Sequence, residues 1–349
     1  MKSISKRLFS VLVVVFMATA LFAGCATQQT EDQTSTGQND DAQTSVAQAS
    51  ETEENSAAPA EGEKKKIGLS LFSLSAEYLA ALKDNMIDYQ KAQGLDNTVE
   101  IIVLDAENDA AKQLSQVDNL ITQKVDAVII APLDREQLVP AIKACKEAKI
   151  PCIELAASTV AVEERTSYVG SDDIVSGQML MEALAEKMGG KGNLVILHGI
   201  TGVNAEVMRH TGAQEILEKY PEITIVSEQV CDWDRAIAMS TVENLLQTDM
   251  GIDAIFAEND EMAMGALNAI QGSGKEKDII IGGVDAIPDA LQSVMDGGLY
   301  CTIFQNNKSQ AEKALELAVK VASGEKIEKE YMIPYELVTI ENAKDYVGK

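Results

Sequence analysis

The stretch IDAIFAENDEMAMGALNAI, residues 252–270, decides the fold. IDAIFAE is a short apolar run that reads as a buried strand. EMAMGALNAI then carries apolar residues at helical spacing, with Gly272 as a stop. Asn259 and Asp260 therefore stand where strand becomes helix, a place where one side chain can cap the helix by accepting a backbone N–H bond. The chain repeats this βα unit. Upstream, IGLSLF, VEIIVLD, DAVIIAP and IPCIEL are each followed by a segment of helical period. After TSYVGSDD the pattern resumes with NLVILHG, ITIVSEQV, DIIIGGVD and LYCTIF, and helices are expected over 203–220 and 234–249. Two successive arrays predict an α/β fold of two doubly wound parallel-sheet lobes, each covered by helices on both faces.

The ends read differently. Residues 1–24 carry Lys2, Lys6 and Arg7, an apolar run from Leu8 to Ala20 and then small residues, the layout of a secretory signal. Its close, Phe22-Ala23-Gly24-Cys25, resembles the lipobox of bacterial lipoproteins, which implies lipid on Cys25 as the mature first residue. Residues 25–63 lack aromatics and hold nine acids against no Lys or Arg, so this segment is expected to be a disordered acidic tether. The signal removes three of the 29 Lys and Arg and none of the 55 acids, leaving a mature net charge of -29. Such a charge argues against nucleic acid and against anionic lipid surfaces as electrostatic partners.

Cys145, Cys152, Cys231 and Cys301 match no zinc spacing and sit in apolar contexts, so buried thiols are expected, with a Cys145–Cys152 pair as the alternative. The chain has two histidines, His198 and His210, neither in a nucleophile or metal motif, and GSGKEKD lacks the spacing of a phosphate-binding loop. No catalytic residue, cofactor or metal is expected, and the chain reads as a binding protein rather than an enzyme.

Ligands of doubly wound sheets collect at the carboxyl ends of strands. Five side chains fall there in the second array: Arg209, Trp233, Asn259, Asp285 and Gln305. Planar charged and amide groups make paired hydrogen bonds and an indole offers an apolar face, a combination that suits a polyhydroxylated ring.

From about Lys64 to Val338 the chain resembles the type I periplasmic sugar-binding proteins of ABC transporters, the ribose binders among them. The blocks that carry the likeness are FAENDEMAMGAL, VDAIPDAL, DWDR and the Gln305 turn. The resemblance implies two lobes, 64–171 with 306–334 and 172–305 with 335–349, joined by three crossings near Ser171, Asn306 and Pro334 and closing on a sugar. It makes Arg209 and Asp285 charged hydroxyl binders, Asn259 and Gln305 amide binders and Trp233 a stacking aromatic, and leaves Asp260 as the helix cap. In the first lobe the family's polar ligands are replaced by Ala76, Ala156 and Ala157, while Tyr78 keeps an aromatic. Ser73 is expected to contact ligand there, with Glu154, Ser75 and Ser158 as further candidates. The partners implied are a sugar-like molecule, an ABC permease and, through the lipid, the outer face of the cell membrane. A monomer is expected. A sensor presenting ligand to a receptor kinase or chemoreceptor is the alternative function.

Overall fold

Nine runs of sequence with Ile-, Val- or Leu-rich cores become strands, and the inner ones, such as Ala127–Ala131, Cys152–Leu155 and Ala254–Ala257, are covered on both faces. The computed structural model describes residues 63–248, 250–274 and 279–349; the leader, Cys25 and the tether lie outside the described residues. The first sheet takes β1 (Lys65–Leu71), β2 (Val99–Asp105), β3 (Ala127–Ala131), β4 (Cys152–Leu155), β5 (Ser167–Gly170) and β11 (Glu330–Met332), in the order β11-β5-β4-β3-β1-β2. All of its pairings are parallel. The second sheet takes β6 (Lys191–His198), β7 (Glu222–Val230), β8 (Ala254–Ala257), β9 (Ile280–Asp285), β10 (Cys301–Phe304) and β12 (Glu336–Thr339), in the order β12-β10-β9-β8-β6-β7. Its edge strand β12 runs antiparallel to β10, a departure from the wholly parallel sheet expected.

The helices are α1 (Glu77–Ala92), α2 (Ala110–Thr122), α3 (Val139–Ala148), α4 (Asp173–Met188), α5 (Asn204–Leu217), α6 (Arg235–Leu246), α7 (Asp260–Ser273), α8 (Pro288–Asp296) and α9 (Asn307–Ala322). Their starts are marked by side chains that accept from the first free backbone N–H groups: Asp109 for α2, Asp172 for α4, Asp234 for α6, Asn259 for α7 and Asn306 for α9. Asn259 is thus the cap that Asp260 was expected to be. Asp260 is fully buried instead, and its carboxylate accepts from Thr302 Oγ1 (2.7 Å) and Ile287 N (3.1 Å), tying α7 to strand β10 and to the turn after β9.

One apolar cluster covers the first sheet with Ile67, Leu69, Ile129, Ile153, Leu82 and Leu315 among its members. The second sheet is covered by one cluster on each face, around Ile255 and Met262 on one and Phe256 and Leu180 on the other. Three passages lead from sheet to sheet, between β5 and α4, between β10 and α9, and between β11 and β12. Cys145, Cys152, Cys231 and Cys301 are buried free thiols. Among the described residues no helix is long and apolar enough to cross a membrane.

Candidate ligand site

The carboxyl ends of the two sheets face one cavity of about 320 Å³. Both lobes wall it, and they touch beside it, where Arg135 N donates to Gly202 O (3.2 Å) and Val203 packs into the first lobe's apolar cluster. The cavity brings together Tyr78, Arg209, Trp233, Asn259, Asp285 and Gln305.

Arg209 stands at its centre, on the second turn of α5 and only 3% exposed. Its guanidinium donates to the Glu258 carbonyl, to Gln305 Oε1 (3.0 Å) and to Asp173 Oδ1 (3.5 Å), and Tyr335 Oη lies at 3.4 Å. Tyr335 in turn donates to Asp173 Oδ1 (2.6 Å). Burial works against the guanidinium charge, but Tyr335, Asp173 and Asp285 outweigh it and hold the pKa above its ordinary value. Arg209 is a fixed cation whose position is set from three elements.

Asp285 ends β9 with a φ of 128°, a conformation that non-glycine residues seldom adopt, and Trp233 beside it and Ala156 on the facing wall have φ values of 62°. Such backbone outliers cost on the order of 1–3 kcal/mol and cluster at ligand sites. Burial pushes the Asp285 carboxyl well above the carboxylate range, against the pull of Arg209 at 4.0 Å. That separation is too long for a hydrogen bond, so its oxygens are left to accept from a ligand. Asn259 spends its Oδ1 on Met262 N (3.0 Å) as the helix cap and directs one amide N–H at Trp233 O (3.5 Å), so one N–H remains for the cavity. Gln305 spends its Oε1 on Arg209 and keeps its donors. Trp233 lies against Gly199, where any Cβ would run into the indole, and the Arg209 guanidinium sits 5.8 Å from its ring centroid.

The opposite wall is apolar. Phe72, Ala76, Leu79, Ala156 and Ala157 line it. Tyr78 offers its ring, because its hydroxyl donates to Gln310 Oε1 (2.9 Å). Ser73, expected to contact ligand, is buried with its hydroxyl on Ser75 Oγ (2.7 Å), and Ser75 rather than Ser73 lines the cavity. Glu154 turns away entirely: its carboxylate holds Arg165 (2.9 Å) and Thr159 (2.6 Å), two partners that a buried charge requires. Ser158 lines a separate surface hollow.

Sequence reasoning missed Asp173 and Tyr335. TSYVGSDD contains the signal for Asp173, two adjacent acids before a helix where capping uses only Asp172. Nothing local marks Tyr335. It also missed the cavity's mouth, where Glu77 of the first lobe meets Glu261 and Arg235 of the second. Arg235 there bridges Glu261 (2.6 Å) and Asp289 (3.0 Å).

Comparison with known proteins places these features in company. Residues 67–326 match the model of the periplasmic binding protein domain. The chain is 35% identical to the ribose import binding protein of Bacillus subtilis over 280 residues, 80% of this chain and 89% of that one. It is 33% identical to a putative rhizopine-binding protein of Rhizobium meliloti over 290 residues, 81% of this chain and 93% of that one. A solved ABC transporter solute-binding protein from Bacillus halodurans, with bound myo-inositol, superposes with a TM-score of 0.78 at 37% identity, covering 83% of this chain and 99% of that one.

Proposed function

The chain belongs to the periplasmic binding protein domain family, and we propose that it is a lipid-anchored, extracytoplasmic member that captures a sugar or cyclitol between its lobes for an ABC importer. The three passages between the sheets serve as the hinge, since a few residues there suffice to absorb the dihedral change of closure. Arg209, Asn259, Asp285 and Gln305 bind hydroxyls on one side of the ring, Trp233 and Tyr78 cover it, and the ligand leaves unchanged. Cys25 carries the lipid, and the acidic segment behind it spaces the domain from the membrane. Cys25→Ser is therefore expected to move the protein from the membrane fraction to the soluble one; an unmodified mature N-terminus by intact mass would exclude the anchor.

The observation that carries the ligand class is the asymmetry of the cavity, polar on the second lobe and apolar across Phe72, Ala76, Leu79, Ala156 and Ala157 on the first. A closed cleft excludes water, so each ribose hydroxyl facing this wall would lose its hydrogen bonds, at about 1–3 kcal/mol apiece. Two or three such losses remove most of the roughly 8 kcal/mol that micromolar binding represents. The favoured ligand is a ring whose first-lobe side is poor in free hydroxyls or bears an apolar substituent. The resemblance to a protein solved with myo-inositol supports a six-membered ring as the frame. Titration calorimetry with ribose, hexoses, deoxyhexoses and inositols tests this: a six-membered ring is expected to bind at least tenfold tighter than ribose. Submicromolar ribose binding would overturn it.

A further inference from the structure

The chain's two histidines lie at opposite ends of a loop and helix, His198 closing β6 and His210 on α5, yet the fold brings them side by side. Their ring centroids are 4.9 Å apart. His198 Nδ1 meets Glu258 Oε1 at 2.9 Å and its Nε2 meets Glu228 Oε2 at 3.3 Å, while Glu206 lies 3.9 Å away. One donor atom each from His198, His210 and Glu258 falls within 4.8 Å of the others. Three carboxylates thus surround two imidazoles at the edge of the second sheet, behind the ligand cavity and outside its lining.

We infer that His198, His210 and Glu258 form a binding site for a divalent transition cation of the zinc class, with Glu228 holding the opposite ring nitrogen of His198. Ion pairing explains His198 alone. It leaves His210 Nδ1 shielded from solvent with no hydrogen-bond partner among the described residues, an imidazole lone pair or N–H directed at nothing. Two imidazoles and a carboxylate are a donor set that suits zinc, nickel or copper and not calcium or magnesium, which take oxygens. Metal–nitrogen bonds of about 2.0–2.1 Å put tetrahedral donors roughly 3.3–3.5 Å apart, so ring rotations of about 1 Å close the site from its present span. Glu228 stands on the edge strand β7 with its side chain 42% exposed, and by accepting from His198 Nε2 it fixes the tautomer that leaves Nδ1 as the metal-binding nitrogen. The second anchor of the set is rigid: Glu258 Oε2 accepts from Gly199 N (2.8 Å).

The probes are Zn²⁺ and Co²⁺ added alone to the full metal-free chain. Calorimetry is expected to show one equivalent of zinc per chain, cobalt to give the absorption of a tetrahedral nitrogen–oxygen site, and zinc to raise the melting temperature. His210→Asn and, on the exposed strand, Glu228→Gln should each weaken zinc binding by about tenfold or more. Glu228→Gln keeps the test valid if His210→Asn fails to fold. Absence of stoichiometric binding at millimolar zinc would show that the cluster is an ion pair only. Binding that survives both substitutions, or a cobalt spectrum with thiolate character, would assign the metal elsewhere and overturn the inference.

Discussion

Asp285 concentrates the chemistry of the ligand cavity in one carboxylate. It is buried, 4.0 Å from the Arg209 guanidinium, on a backbone conformation that non-glycine residues seldom adopt. A ligand hydroxyl would pair with a carboxyl that no neighbouring group among the described residues hydrogen-bonds. A buried polar group left without its hydrogen-bond partner costs about 1–3 kcal/mol, so Asp285→Ala is expected to weaken ligand binding by roughly ten- to a hundredfold. Trp233 is the chain's single tryptophan and lines the same cavity, so its fluorescence reports the titration directly. Unchanged affinity in the mutant would remove Asp285 from the site. At this scale the second lobe's share of the cavity lining was legible in the sequence, because Trp233, Asn259, Asp285 and Gln305 each stand at or just past the end of a strand. Ser73 and Glu154 were not. Their exclusion from the cavity depends on Ser75 and Arg165, neighbours that only the folded chain assigns.

At the scale of elements, the depth of Arg209 in the cleft is set by how closely α4 and α5 cross. A Cβ on Gly177 of α4 would strike the carbonyl of Arg209 itself, so the crossing holds only with glycine there. Gly177→Ala is expected to cost about 1–3 kcal/mol by overpacking and to displace Arg209 from Gln305 and Asp173. A lower melting temperature together with weaker ligand binding would bear this out; a variant with both unchanged would show that the helices can separate without cost. The long, apolar elements were readable because period and cap agree, as at β8 and α7. The strands β5, β11 and β12 were not: each has only three or four residues, and their strand character comes from pairing with distant partners. Asp173 and Tyr335 escaped for the same reason, lying 36 and 126 residues from the arginine they hold.

For the whole molecule, the proposed hinge motion would bring two acidic surfaces together. Glu77 at the start of α1 meets Glu261 and Asp289 of the second lobe, with Arg235 as the cation between them. Burial first, and Glu261 next, raise the Glu77 pKa to about 7 in this arrangement. When the lobes part, Glu77 faces water and returns towards about 4.3, the ordinary glutamate value. The closed form therefore holds the Glu77 proton more tightly than the open one. Closure is most favoured below the open-state pKa and loses ground as pH rises through about 7, beyond which both forms are ionised and the dependence ends. Because ligand binding is linked to closure, affinity is expected to fall severalfold between mildly acidic and mildly alkaline pH. Glu77→Gln should abolish that slope and bind as tightly at high pH as the parent does at low pH. The substituted residue sits at the cleft mouth, and most of its side chain is reachable by solvent, so salt should also flatten the profile. Calorimetry across this pH range decides it: a parent whose affinity is constant, or a Glu77→Gln variant with an unchanged slope, would show that the lobes close without feeling this pair of acids.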